Sequence, residues 1–95
     1  MLDNELTVNI RIDMHEEDII SLYQTFEELP GYKKKDHNGS VYWFGTEDDD
    51  IFVCATFGTR GLFLESELSD EDWFVWMSIF LKKMTIALGY QVKII

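Results

Sequence analysis

From Ser69 to Gly89, apolar residues recur at helical spacing. Trp73, Trp76, Met77, Phe80, Met84, Ala87 and Leu88 follow i, i+3, i+4, i+7, which predicts a helix with a broad apolar face. Phe74, Ile79, Leu81 and Ile86 widen that face, leaving Ser78, Lys82 and Lys83 as the strip for water. Ser69 has the hydroxyl of an N-cap, and Asp70, Glu71 and Asp72 put negative charge at the positive end of the helix dipole. Gly89 closes the helix. No other segment is as long and as apolar, so the core is expected to be organised around it.

The remaining elements are shorter. Leu6, Val8, Ile10 and Ile12 alternate with Thr7, Asn9 and Arg11, the period-two pattern of a half-buried strand. Asp13 and Glu16 then stand three apart as a capping box, and Ile19, Ile20, Leu22, Tyr23, Phe26 and Leu29 form the stripe of a helix over about 14–28. Leu29, Pro30 and Gly31 stop it. Residues 32–39, with Lys33, Lys34, Lys35, His37 and an Asn-Gly pair, predict a polar link. Three short strands follow as a meander over 41–44, 51–57 and 62–65, with Ile51, Val53, Ala55 and Phe57 facing the core. Tyr90, Val92 and Ile94 alternate in a last strand.

The expected order is β-α-β-β-β-α-β: one α+β domain over residues 1–95, with a five-stranded, mainly antiparallel sheet and two helices on one face. A ferredoxin-like split βαβ core with one extra strand is the closest named arrangement.

Charge narrows the choice of partner. Eighteen acidic against eight basic residues give a formal net charge of −10. Nucleic acid and anionic membranes are disfavoured by that charge, and a cationic partner is favoured. Cys54 is the only cysteine, which excludes an internal disulfide and a cysteine-built zinc site and fits a small buried hydrophobe. The start of the chain lacks the pattern of a secretory signal, and Lys82 and Lys83 interrupt the longest apolar stretch short of a membrane span. A cytoplasmic protein is expected.

Candidate chemistry is sparse. The acidic run Glu47, Asp48, Asp49 and Asp50 lacks the alternating ligands, glycine and distal glutamate of a calcium loop, so it reads as a solvated tip or a contact surface for a basic partner. Helix capping accounts for Asp70 to Asp72 but not for Glu65 and Glu67, which join the candidate contact surface. His15 and His37 belong to no nucleophile, zinc or phosphate motif, and pairing two of eighteen acids as an acid and base would be arbitrary. No enzyme activity, cofactor or metal is expected. Tyr42, Trp43 and Phe44 cannot all face one core, because adjacent strand side chains point to opposite sides. Tyr42 and Trp43 are therefore also candidates for partner contact, against the plainer explanation of a covered surface aromatic.

The acid clusters at Glu47 to Asp50 and Glu65 to Asp72, with the aromatic Trp73 to Trp76 segment leading through Gly89 into a last strand, resemble in general layout the small acidic α+β immunity proteins of bacterial contact-dependent and other polymorphic toxin systems. The resemblance implies a cytosolic inhibitor that covers the active site or nucleic-acid channel of a basic, nuclease-type toxin. A carboxylate-rich surface complements the lysines and arginines that hold phosphates, and it speeds association by steering. The alternative is a small acidic regulatory or adaptor module that binds another host protein, or itself, through an exposed aromatic face. An acid–base enzyme would need a pocket that brings His15 or His37 to a carboxylate.

Overall fold

Five strands form one antiparallel sheet in the computed structural model, which describes residues 4–46 and 48–95. They are β1 (Glu5–Val8), β2 (Tyr32–Lys35), β3 (Val41–Trp43), β4 (Val53–Phe57) and β5 (Leu62–Ser66), in spatial order β1-β5-β4-β3-β2. Helix α1 (Glu16–Glu28) lies between β1 and β2, and helix α2 (Asp70–Leu88) follows β5. Both helices cover the same face. Trp43 of β3 meets Phe26 of α1 and Trp76 of α2 edge-on, with ring centroids 5.5 and 4.9 Å apart. The α+β class, the five-stranded sheet and the two packed helices are therefore as expected.

Membership of the sheet differs from expectation at both ends. The predicted link over 32–39 contains β2, an edge strand paired with β3 and followed by a tight hairpin. Asp36 closes that hairpin by accepting from the amides of Asn38 and Ser40, each at 2.9 Å. Three lysines are tolerated in the strand because an edge leaves their heads in water, where they also discourage pairing with another chain. Two of these heads also lie over aromatic rings, with Lys35 Nζ 4.6 Å from the Tyr23 ring centroid and Lys34 Nζ 5.8 Å from that of Tyr42.

The predicted last strand is reduced to one bridge, Val8 with Ile94. Ile95 N donates to Thr7 O and Asn9 N to Lys93 O, so the C-terminal segment shields the outer edge of β1. Strand β1 itself ends at Val8, short of residue 12, because Asn9 bonds the C-terminal segment through its side chain as well. Ile10 is still buried, whereas Ile12 is exposed.

Three strands, β5, β4 and β3, lie between β1 and β2, where a split βαβ core has one, so the arrangement is not the ferredoxin-like one expected. Helix α1 carries the chain from one edge of the sheet to the other, which prevents β1 and β2 from becoming neighbours.

The helix boundaries follow the expected capping chemistry in α2 but not at the start of α1. Ser69 Oγ accepts from Asp72 N at 3.2 Å, and Gly89 takes a left-handed conformation (φ 77°) with its amide on Thr85 O. Asp13, by contrast, does not cap α1. It lies 3.5 Å from Arg11 Nε, and the N-cap is His15, with no side-chain hydrogen bond. The apolar face of α2 is also narrower than expected. Trp73, Trp76, Met77, Phe80 and Met84 are buried, but Phe74 is 73% exposed, Val75 52% and Ile86 75%. Ile51, expected in the core, lies outside β4 and is 54% exposed. Phe74 and Val75 lie in the first two turns of α2, and Ile51 directly follows the acidic run.

Candidate partner-binding groove

A groove of about 540 Å³ opens between the first three turns of α2 and the loop that joins β3 to β4. Val75, Trp76 and Ile79 of α2 form one wall and Phe44 and Ile51 the other, with Pro30 and Leu68 also lining it. Glu71 and Asp72 are its charged lining residues.

Glycines and hydrogen bonds hold these walls in place. Phe44 has a left-handed backbone (φ 68°), a conformation that costs a bulky residue roughly 1–2 kcal/mol. Its amide donates to Gly31 O at 2.6 Å. Its ring lies on Gly31, where a Cβ would come within 2.8 Å of three ring carbons. The Trp76 indole donates to Pro30 O at 3.1 Å and so ties the α1–β2 connection to α2. Across the loop, Thr46 N donates to Asp49 Oδ2 at 2.7 Å and Asp49 N returns to Thr46 O. Gly45 is packed against Ile51 O and the Asp49 side chain. Glu67 N donates to Phe52 O, joining this loop to the segment that enters α2.

The Phe44–Gly31 contact makes a direct prediction. Gly31→Ala should cost at least about 1 kcal/mol for its left-handed backbone, and more for the collision with the Phe44 ring. In a Phe44→Gly background the collision disappears. Urea melts of both single variants and the double variant should therefore show positive coupling; additive effects would mean that the ring does not hold this turn.

Only some of the residues singled out from sequence come together here. Asp48, Asp49 and Asp50 are exposed on the loop between the groove residues Phe44 and Ile51, while Glu71 and Asp72 lie on the opposite wall. Glu67 is exposed beside Leu68. Glu47 lies outside the described residues. Glu65 is half-buried on the outer sheet face, opposite Cys54 and Glu5. Tyr42 shares that face, opposite Cys54, and is only 8% exposed.

Trp43 is corrected outright. It is fully buried, with its indole donating to Phe26 O at 3.0 Å, because the inward register of β3 points it between the helices. Ile51 was missed because strand alternation places it with Val53, Ala55 and Phe57 on the core side, and neither Phe44 nor Val75 was singled out. The available signal was Ile51 directly after the acidic run and Phe44 three residues before it, in a turn that also contains Gly45.

The acids around the groove have no ion-pair partner among the described residues. The two ion pairs among the described residues, Arg11 with Asp13 and Lys83 with Glu28, involve none of them. No lysine or arginine among the described residues lines the groove.

His15 and His37 are both exposed, one preceding α1 and the other in the β2–β3 turn. Cys54 is buried, with Sγ 3.7 Å from Thr56 Oγ1. Desolvation raises its thiol pKa above the usual value and outweighs hydrogen bonds from Thr56 and Tyr42, while Glu65 and Asp36 push the same way as burial. The thiol is protonated at neutral pH and a poor nucleophile. Among the described residues no group of three or more histidine, cysteine or acidic side chains is placed to hold a metal ion. No helix there is long and apolar enough to cross a membrane.

The groove can therefore bind by side-chain packing and by charge. Comparison with known proteins adds no relative to this physical description: no family model, curated protein or solved structure matches the chain.

Proposed function

We propose that this protein is a cytoplasmic inhibitor that binds a basic protein, and specifically an immunity protein that neutralises a nuclease-type toxin by covering its active site or substrate channel. The observation that carries the reading is the apolar groove lined by Glu71 and Asp72, with Asp48 and Asp50 exposed on the loop that supplies Phe44 and Ile51 to its other wall, and with no ion pair to any of these four acids among the described residues. A nuclease channel presents lysines and arginines spaced for phosphates, and carboxylates are the protein groups that satisfy such a surface. The chain's charge of −10 steers the encounter from a distance. The walls of the groove are fixed by glycine contacts and hydrogen bonds, so little ordering cost is added on binding.

The test is co-expression. A large reading frame beside this gene that ends in a short toxic domain supplies the candidate toxin. That domain should arrest growth alone, and co-expression of this chain should restore growth and abolish nuclease activity in the purified mixture. Persistent arrest with no complex formed by the two purified chains would overturn the assignment to that toxin. A bound partner with a neutral or acidic surface would overturn the reading as a whole.

A further inference from the structure

We infer that the groove seats an amphipathic basic helix of the partner, with apolar side chains packed between Phe44, Ile51, Val75 and Ile79 and with lysines or arginines turned to the acids on both rims. This rests on the proposal that the partner is basic and adds how it is held.

Three observations select a helix. The volume of about 540 Å³ lies in the range of sites that enclose a sizeable ligand, so more than one side chain fits. One wall is α2, whose backbone groups bond within the helix, and the opposite turn uses the amides of Phe44, Thr46 and Asp49 internally. An extended strand would therefore find few backbone partners. A helix needs none, since its own backbone is satisfied and its side chains at i, i+3 and i+4 provide the contact. Charge then selects the sequence of that helix: Glu71 and Asp72 lie on one wall, and Asp48 and Asp50 on the loop of the other. Acidic helices and anionic lipid are repelled by the same groups.

The probe is a synthetic helical peptide of about 18 residues built from leucine and lysine, long enough to hold a helix when bound. Two control peptides replace its leucines with serine or its lysines with glutamate. Binding to the full chain is followed by amide chemical shifts. The leucine–lysine peptide should shift residues 44–51 and 68–79 and leave the outer sheet face around Tyr42 and Phe63 unchanged. Both controls should bind at least about tenfold more weakly, as should Ile51→Ser and Val75→Ser in the protein, since each removes an apolar contact. Both positions are more than half exposed, so these variants should keep the parent's melting temperature.

Equal binding by the serine control would show attraction by charge alone. The basic-partner reading would then stand and the seated helix would be wrong. Equal binding by the glutamate control would overturn both. Shifts confined to the outer sheet face, or a dimer of the chain alone that Ile51→Ser dissociates, would also reject the helix, the latter because the groove would then belong to a second copy.

Discussion

Trp43→Ala should destabilise the protein by about 3–5 kcal/mol, the range for truncating a large buried aromatic. At roughly 0.05–0.15 kcal/mol per residue, a chain of this length has a total stability of about 5–14 kcal/mol, so this one change removes a large part of it. Two losses combine. Trp43 is fully buried and its ring links Phe26 of α1 to Trp76 of α2, so its removal opens a cavity where both helices meet the sheet. Its indole also donates to Phe26 O, a carbonyl near the end of α1 that would lose this donor. Trp43→Phe separates the two, since it keeps most of the packing and should cost about 0.5–1.5 kcal/mol for the lost hydrogen bond, Phe26 O still accepting from Leu29 N. Phe80→Ala should fall in the same range as Trp43→Ala, because Phe80 is buried and stacks on Trp76 at 5.5 Å. Urea denaturation measures all three. If Trp43→Ala melts within about 1 kcal/mol of the parent, well below that range, the helix–sheet junction is not the centre of the core.

Neutralising the groove rims should slow association with the partner by about tenfold or more at low salt and flatten its salt dependence, because exposed rim charges act mainly through long-range steering. The clean variant is Asp48→Asn with Asp50→Asn, which removes two charges from an exposed loop. Asp49 is left intact because its carboxylate holds the turn through Thr46. Glu71→Gln with Asp72→Asn should slow association similarly and also weaken α2 by about 0.3–1 kcal/mol per charge, since both lie in its first turn. Glu65→Gln is the control, because Glu65 lies on the outer sheet face away from the groove. Stopped-flow association at two salt concentrations gives the answer. Rates equal to the parent's in both rim variants, or an equal drop with Glu65→Gln, would remove the groove from the encounter. A faster dissociation in place of slower association would show close, desolvated ion pairs.

The local chemistry of the chain accounts for much of the fold. The Ser69 cap, the Gly89 stop and the buried Trp73–Met84 face follow from short-range rules that operate within one or two helical turns. The strands over Val53–Phe57 and Leu62–Ser66 likewise carry their β-branched and aromatic residues openly. Tyr32–Lys35 could not be recognised this way, because an edge strand is defined by a neighbour on one side and its lysines look like a link. The segment 90–94 failed in the opposite sense: its alternation is that of a strand, but only Ile94 finds a bridge partner.

The candidate site divides in the same way. The sequence by itself determined the excess of carboxylates, their runs near residues 48–50 and 70–72, and the preference for a cationic partner, since charge needs no fold to be counted. It also determined that Tyr42, Trp43 and Phe44 would diverge, but not which would be buried. Only the tertiary structure decided that Trp43 is core, that Phe44, Ile51 and Val75 line one groove, and that Glu65 lies on another face. These outcomes depend on sheet register and on a left-handed backbone at Phe44 held by Gly31, contacts between residues distant in sequence that no local pattern encodes.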